Sequence, residues 1–425
     1  MSPSDAGDDM LSDITKMLVT LSSAETYNKQ PPSGPPEIYP TLADYELEDL
    51  QKTAFGQVLG RDYAYSSLKL IGDPEPIEIS TPESSSLDGK FVWSIDGSNN
   101  TLDYSAFHLL LARSAIVEYS YSFKPKNTHH EVQNLDCGGV CMVDGNIFGD
   151  GIHLFGNSTA NVQNNPDVSW IDVISNSNEP LIVSFDPDTI DKKPSSHASG
   201  WSIKFMQTLE LMSLAHIPSE KSGVVIRDGA LFPICATNVD TIKSLTNALK
   251  WDNKVMICSS KRISESTLFV ELLMHPENEK LLQYYFPEQN ISTSILKKLP
   301  ADYLLLPKIL KPGQRTPFIE AIPRSRAKIP MQSPELTPIC CYYMRKRAPN
   351  TIIRLEFPRK YLEDLEKLEW ALECVAWQHE LGTKVPHVQE FADRQCQLKS
   401  EVQILRNITA NTLLERGLET LEVYE

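Results

Sequence analysis

The chain has 425 residues, of which 41% are hydrophobic and 23% are charged, and its formal net charge is −16. This length predicts either one large domain with additions or two to three domains. No apolar run reaches the roughly 18 residues of a membrane-spanning helix, the N-terminus lacks the basic-then-apolar order of a signal peptide, and the eight cysteines are scattered. The sequence therefore argues against a membrane protein and favours a cytoplasmic one with reduced thiols.

The charge is distributed unevenly along the chain. Residues 1–100 contain 17 acidic and 6 basic side chains, a balance of −11, whereas residues 297–360 contain 14 basic and 4 acidic, a balance of +10. A local basic face on an acidic protein is a candidate phosphate-binding surface. A solvated surface that balances the acidic remainder explains the same pattern, so charge alone leaves both interpretations open.

The first 88 residues are predicted to form an acidic N-terminal extension. Residues 8–23 and 43–59 have helical patterns, and "KQPPSGPPEIYP" (29–40) between them predicts an extended, proline-rich linker. Residues 72–86 form a further acidic, loop-rich stretch. We therefore expect the ordered domain to begin near Gly89.

From Gly89 onward, strand and helix signals are mixed as in an α/β domain. Asn, Asp, Gly and Ser clusters separate the first strand signals, which predicts an antiparallel meander. The predicted strands cover residues 91–96, 113–122, 139–148, 169–174, 181–185, 223–228, 254–258, 302–306, 338–346 and 350–357. The predicted helices cover residues 199–217, 239–250, 264–275 with an extension to about 285, 359–380, 387–399 and 401–420. We expect a main domain over residues 89–400 and a C-terminal helix within residues 401–425.

One stretch of the meander combines histidines with cysteines. "HHEVQNLDCGGVC" contains His129, His130, Cys137 and Cys141. Their spacing matches no common zinc finger, and no second Cys/His pair lies nearby. A glycine-containing hairpin is the better interpretation.

Two of the predicted strands end in the same way. "FVWSIDGS" (91–98) and "GVVIRDGA" (223–230) both run into Asp-Gly, which puts Asp96 and Asp228 at strand ends. Each joint alone is a common turn signal. If the strands are adjacent, however, the two carboxylates meet at one edge and supply the hard oxygen ligands that Mg²⁺ or Mn²⁺ needs. Glu210, within the apolar "TLELMSLAH", is a third candidate, although a surface helix glutamate is the simpler reading of that residue alone.

Five short motifs occur in an order and spacing that resemble those of the NurA nuclease family. "SIDGS" (94–98) and "IRDGAL" (226–231) resemble its two Asp-Gly motifs, and Glu210 precedes Asp228 by 18 residues, similar to its helix glutamate. "ICSSKRISES" (257–266) resembles its Ser-Lys element, with Lys261 as the lysine. "VPHVQEFAD" (385–393) resembles its C-terminal segment. The resemblance extends from about residue 90 to residue 400.

The resemblance implies an RNase H-like core with a mixed sheet and a manganese-dependent 5′→3′ nuclease that acts on DNA, with single-strand endonuclease activity as a further expectation. Asp96, Glu210, Asp228 and Asp393 would hold two Mn²⁺ or Mg²⁺ ions, and Lys261 would face a phosphate. The resemblance also implies a homodimer that docks on a hexameric HerA-type ATPase in DNA-end processing or phage defence. The chain has no Walker A pattern, which agrees with an external motor.

The chain departs from the family at the C-terminal segment. Asp393 stands where the family usually has histidine, and Val385 stands where it usually has tyrosine. Asp393 can still bind or orient a cation. His387 is a candidate substitute for the tyrosine, or simply the first residue of a helix. Two alternatives therefore stay open: a NurA-like structural partner of the ATPase that has lost catalysis, and an unrelated α/β enzyme whose Asp-Gly joints are only turns.

Overall fold

The computed structural model describes residues 64–80, 82, 87–103, 107–120, 130–144, 147–155, 169–175, 181–183, 194–260, 266–275, 278–287, 302–348 and 351–415. These residues form an α/β structure around one mixed sheet of 13 strands. The strands are β1 (Tyr65–Ile71), β2 (Ile77–Glu78), β3 (Phe91–Asp103), β4 (Phe107–Ser120), β5 (His130–Asp144), β6 (Ile147–Phe155), β7 (Leu181–Val183), β8 (Gly223–Asp228), β9 (Lys254–Ser260), β10 (Gln314–Arg315), β11 (Phe318–Pro323), β12 (Pro338–Met344) and β13 (Ile352–Pro358). The α-helices are α1 (Trp170–Ser175), α2 (Pro194–Ser213), α3 (Asn238–Ala248), α4 (Leu268–Met274), α5 (Glu279–Tyr285), α6 (Asp302–Ile309), α7 (Lys328–Gln332), α8 (Leu365–Leu381), α9 (His387–Gln395) and α10 (Lys399–Glu415).

The strand order places the first predicted strand at the centre of the sheet. The order is β1-β11-β12-β13-β9-β8-β3-β4-β5-β6-β7, and β10 pairs with β12 and β2. Strands β3, β8 and β9 are parallel neighbours, whereas β4 and β5 continue from β3 as an antiparallel meander. The predicted α/β class and mixed sheet are confirmed, and the order β5-β4-β3-β8-β9 is compatible with an RNase H-like core.

Helices cover both faces of the central strands, and β8 is apolar over most of its length. Val224, Val225 and Ile226 of β8 are fully buried, as expected for a parallel strand buried on both sides. On the α2 face, Trp93, Ile95, Val225 and Met256 pack with Leu211 and Leu214. On the α9 face, Val92, Val224 and Ile226 pack with α8 and with Val388 and Ala392 of α9.

The prediction of a strand over 169–174 is wrong, because these residues form helix α1. The carboxylate of Asp240 accepts hydrogen bonds from Trp170 N at 3.1 Å, Ile171 N at 3.0 Å and Ser169 Oγ at 2.9 Å. A carboxylate that binds the exposed amides of a first helical turn stabilises the helix. The cap comes from a residue about 70 positions away, so no local pattern reveals it.

The prediction of a strand over 302–306 is also wrong, because the apolar run belongs to helix α6. Leu305, Leu306, Ile309 and Leu310 form one helical face that packs beside β11 and β12. A short apolar run fits a buried strand and a buried helix equally well, and only its packing partner decides.

Other boundaries shift by smaller amounts. The predicted strand over 139–148 spans the end of β5 and the start of β6, and the predicted helix over 264–275 does not continue to 285, since α4 ends at Met274 and α5 is separate. Strand β1 lies within the segment expected to be an extension and pairs antiparallel with β11. The sheet therefore includes residues that precede Gly89.

The remaining early predictions concern the N-terminal helices, the linker and the cysteines. Residues 8–23, 29–40 and 43–59 lie outside the described residues, as does His129. Cys137 and Cys141 lie in strand β5, which pairs with β4 and β6. The six cysteines whose side chains are described are free thiols. Within the described part of the chain, none of the helices has both the length and the apolar character needed to cross a bilayer.

A buried histidine in α8 makes the stability of the fold depend on pH. Burial, and then the positive charge of Arg345, lowers the pKa of His379 to about 4, against roughly 6.5 in an unfolded chain. The unfolded state therefore binds the proton first as the pH falls from 6.5 to 4, so the folded state is progressively destabilised over that range. We expect the free energy of unfolding of the wild type to fall by about 2 to 3 kcal/mol between pH 7 and pH 4.5 because of this group. The variant His379→Phe, which keeps a ring against Tyr343, should not show this decrease. Urea unfolding of both proteins at the two pH values measures this difference. An equal pH dependence in both proteins would contradict the prediction.

Candidate metal centre at the carboxyl edge of the sheet

The two Asp-Gly pairs lie side by side where the parallel pairing of β3 with β8 stops. The prediction that Asp96 ends its strand is wrong, because β3 continues to Asp103 through its antiparallel pairing with β4. Ile95 of β3 pairs with Arg227 of β8 in parallel register, so the next residues, Asp96 and Asp228, are neighbours. Asp228 in turn pairs with Ser259 of β9. Residues in register on parallel strands point to the same face, so Asp96, Asp228 and Ser259 form a row beneath α9. We call these three residues the edge row.

Glu210 reaches the same edge from the opposite face of the sheet. It lies on α2 and is only 5% exposed. A Cβ atom added at Gly97 would lie 2.6 Å from Glu210 Oε1 and 2.7 Å from Met206 Cγ. The glycine after Asp96 thus leaves the space that the glutamate occupies, and Gly97 N also donates a 2.8 Å hydrogen bond to Asp96 Oδ1.

The tight fit at Gly97 predicts the effect of a single methyl group. We expect Gly97→Ala to displace Glu210 and to lower Mn²⁺-dependent DNA degradation at least about 10-fold, with a stability loss of about 1 to 3 kcal/mol. The matched control is Gly200→Ala on α2, because a Cβ there meets nothing within 4 Å. The control should be neutral or slightly stabilising. Nuclease rates and urea unfolding are measured for both variants. A Gly97→Ala protein with the wild-type nuclease rate would contradict the role given to Gly97.

Glu210 forms a buried ion pair with the residue before Asp228. Arg227 Nη1 lies 3.2 Å from Glu210 Oε2, and the two side chains are 2% and 6% exposed. Arg227 Nη2 also donates to the carbonyl oxygens of Ala230 and Leu231, which fixes the loop after Asp228. Burial raises the pKa of Glu210 to about 8, Arg227 opposes the rise, and the nearby charge of Asp228 adds to it. A cation near this edge would favour the ionised form of Glu210.

Helix α9 covers the edge row and contributes a residue that sequence reasoning missed. Gln389, which is 1% exposed, donates from Nε2 to Asp228 Oδ1 and, at 3.2 Å, to the carbonyl oxygen of Ser259. The sequence contains one signal for this residue. Gln389 follows Val388 and precedes Ala392 by three positions, which places it on the buried face of an amphipathic helix.

Asp393 lies one turn after Gln389 on the same helix and is partly buried. The nearby thiol of Cys396 has its pKa raised by burial first and then by the charges of Asp96 and Asp393. Both carboxylates therefore lie within electrostatic range of one buried thiol. Ser98 Oγ also donates to the carbonyl oxygen of Cys396, which ties the C-terminal end of α9 to β3.

The other residues singled out in the sequence have simpler placements. Lys261 directly follows β9 and lies outside the described residues. His387 is the first residue of α9 and is partly buried, whereas Val385 is 3% exposed.

The carboxylates fit a divalent cation by type but are not gathered around one point. Among the described residues, no three Asp, Glu, His or Cys side chains form a group that could hold a metal ion. Glu210 is turned to Arg227, and Asp228 accepts from Gln389. Hard oxygen donors held on neighbouring strands of a rigid sheet are nevertheless the ligands that a Mg²⁺ or Mn²⁺ site requires. The metal roles of Asp96, Glu210, Asp228 and Asp393 stay predictions.

Part of the basic stretch at 297–360 is used in contacts within the fold. Arg315 pairs with Glu369, Arg354 with Glu356, and Arg359 with Glu320. Arg326 donates to backbone carbonyls of the loop after Asp228, and Arg345 donates to two carbonyls at the end of α8. These contacts favour structural roles for these arginines over a continuous phosphate-binding face.

Comparison with known proteins gives one family. The model of the NurA domain matches residues 144–395, a span that contains Glu210, Asp228, Lys261 and Asp393 but not Asp96. No curated protein sequence matches the chain.

Three solved structures are similar to this chain at low identity. The NurA nuclease from Sulfolobus solfataricus is 10% identical, with 87% of this chain and 93% of that chain covered and a TM-score of 0.41. A second NurA structure is 10% identical, with 88% and 100% covered and a TM-score of 0.36. A NurA bound to dAMP and manganese is 9% identical, with 84% and 94% covered and a TM-score of 0.32.

Proposed function

The chain belongs to the NurA family, and we propose that it is a metal-dependent deoxyribonuclease that cleaves phosphodiester bonds at the carboxyl edge of its sheet. One observation carries this proposal: Asp96 and Asp228 lie side by side where the parallel pairing of β3 with β8 stops, and Glu210 reaches the same place over Gly97. Carboxylates from two strands and one helix supply oxygen ligands from three directions on a rigid frame. This arrangement suits hydrolysis of a phosphate diester.

We assign the cation ligands to Asp96, Glu210 and Asp228, with Asp393 as a fourth. When bound, two Mn²⁺ or Mg²⁺ ions supply the Lewis acidity that activates the attacking water and stabilises the leaving 3′ oxygen. The protein residues hold those ions in register with the substrate phosphate. Lys261, which directly follows β9, is proposed to face the scissile phosphate or its neighbour.

We further propose a 5′→3′ exonuclease, with single-strand endonuclease activity, that works as a homodimer with a hexameric HerA-type ATPase. Membership of the NurA family supports these assignments. The chain has no Walker A pattern, so progress along DNA would depend on the partner's ATP hydrolysis. The pathway would be DNA-end processing or phage defence.

We place the nuclease elements in residues 89–400, with β1 as an added edge strand. Helix α10, which begins the C-terminal helical segment, packs back on this unit: Arg113 Nη1 of β4 lies 2.6 Å from Glu401 Oε1. The segment before β1 contains 11 acidic and 4 basic side chains, a balance of −7.

Linear duplex DNA labelled at the 5′ or the 3′ end tests the activity and its direction. We expect release of the 5′ label first, with Mn²⁺ present, and no release when EDTA is added. The assay is done with the chain alone and with a HerA-type ring ATPase added. Intact DNA under both conditions with Mn²⁺ would contradict the proposal.

A second candidate is a NurA-like protein that has lost catalysis and serves as a structural partner of the ATPase. Asp393 and Val385, which replace the usual histidine and tyrosine, favour this alternative. Calorimetric titration with Mn²⁺ separates the two functions. An active site with three or four carboxylates should bind the ion, whereas a protein that only docks on the ATPase should show no binding at this edge.

A further inference from the structure

The side chain of Gln389 lies at the centre of the contact between α9 and the edge row. It is 1% exposed, and its Nε2 donates both to the carboxylate of Asp228 and to the carbonyl oxygen of Ser259. Its Oε1 and the hydroxyl of Ser259 are buried and have no hydrogen-bond partner among the described residues. A buried amide with one half unused is poorly suited to a purely structural position.

The residues beside Gln389 show what packing alone would select. Val388 and Ala392 are buried in the apolar cluster between α8, α9 and the sheet. An apolar residue at 389 would satisfy the same packing without leaving an amide oxygen unpaired. The amide at position 389 therefore contributes through its NH₂ group, which donates a hydrogen bond to Asp228.

Each of the three carboxylates assigned to the cation has a donor that holds it. Gly97 N donates to Asp96, Arg227 pairs with Glu210, and Gln389 donates to Asp228. The donor on Asp228 is neutral. An amide fixes the direction of a carboxylate and leaves its negative charge for a cation, whereas a lysine or arginine would compete with that cation.

We propose that Gln389 is a positioning residue that orients Asp228 to receive the divalent cation and does not contact the DNA. The inference rests on the proposed function, since it gives Asp228 the role of a metal ligand. Loss of such an orienting partner typically weakens metal binding 10- to 100-fold. The effect should therefore appear in Mn²⁺ affinity as well as in activity.

Two substitutions of similar size have opposite expected effects on Mn²⁺ binding. Gln389→Leu removes the donor, so we expect the dissociation constant for Mn²⁺ to rise at least about 10-fold and kcat to fall with KM for DNA unchanged. Gln389→Glu places a second carboxylate beside Asp228. We expect it to lower the melting temperature in EDTA and to enlarge the rise in melting temperature on adding Mn²⁺, because like charges repel until a cation joins them.

The matched control is Gln395→Leu, the same substitution at an exposed position of the same helix. It should leave the Mn²⁺ affinity, kcat and KM at their wild-type values. Calorimetry, thermal melts with and without Mn²⁺, and steady-state rates on the four full-length proteins provide the comparison.

The outcomes separate this inference from the proposed function. If both variants at 389 melt lower but keep wild-type Mn²⁺ affinity and kcat, Gln389 only packs α9 and the inference is overturned. If Gln389→Leu does not fold, Gln389→Glu decides, and an unchanged Mn²⁺-induced shift in melting temperature overturns it. A wild-type protein that neither binds Mn²⁺ nor degrades DNA removes the proposed function itself, and this inference with it.

Discussion

Asp228→Asn is expected to lower Mn²⁺-dependent degradation of linear DNA by about 10³-fold or more. The substitution keeps the shape of the side chain and its ability to accept from Gln389. It removes the negative charge, and lost stabilisation of several kcal/mol in a metal-assisted transition state corresponds to a factor of this size. Nuclease rates at saturating Mn²⁺ measure the effect.

The same variant should not be less stable in the absence of metal. Asp228 raises the pKa of the buried Glu210, so removing its charge makes it easier for Glu210 to ionise and pair with Arg227. We expect the melting temperature of Asp228→Asn in EDTA to equal or exceed that of the wild type. The control is Asp252→Asn, at an exposed position just before β9. Full activity of Asp228→Asn would exclude this residue from the site, and a collapsed fold would show that its role is structural.

Arg227→Met is expected to cause the largest loss of stability, about 3 to 5 kcal/mol. The substitution leaves the carboxylate of Glu210 buried without its ion-pair partner and releases the loop carbonyls of Ala230 and Leu231. Urea unfolding measures the free-energy change. Arg227→Lys should rescue only part of it, because one ammonium cannot reproduce the forked contacts of the guanidinium.

A double substitution tests whether the ion pair is the cause. Glu210→Gln removes the charge that Arg227 neutralises, so Arg227→Met combined with Glu210→Gln should cost less than the sum of the two single changes. We expect a coupling of at least about 1 kcal/mol. Strictly additive losses would show that the loop contacts alone explain the effect of Arg227.

The sequence was most informative where local pattern and packing agree. The apolar runs before Asp96 and Asp228 predicted two strands, and these strands are buried parallel neighbours. Their adjacency was only a hypothesis, because sequence does not show which strands pair. Helix α2 was expected over 199–217 and covers Pro194–Ser213, followed by a 3₁₀ turn, since its apolar spacing is local information.

The failures have a common physical cause, which is a partner distant in sequence. Helix α1 depends on a cap from Asp240, and helix α6 depends on its packing beside β11 and β12. Strand β1 lies in the segment expected to be an acidic extension, and it gains its hydrogen bonds from β11. None of these contacts leaves a trace in the segment itself.

In the candidate site, local patterns reveal some of the residues and only the tertiary structure reveals the others. Asp96, Asp228 and Glu210 could be singled out from their local patterns, and the fold brings the first two together. The donors that hold them depend on the tertiary structure: Arg227 was read as part of a strand, and Gln389 as an ordinary helix residue 161 positions from Asp228. The basic stretch at 297–360 was ambiguous because charge counts do not show which arginines are paired internally.

We propose that a divalent cation binds among the carboxylates of Asp96, Glu210 and Asp228. Crystals of the wild-type protein soaked in Mn²⁺, with data collected near the manganese absorption edge, test it most directly. We expect an anomalous difference peak beside the carboxylates of Asp96, Glu210 and Asp228. Crystals that show no peak at this edge, at a Mn²⁺ concentration that supports DNA degradation in solution, would contradict it.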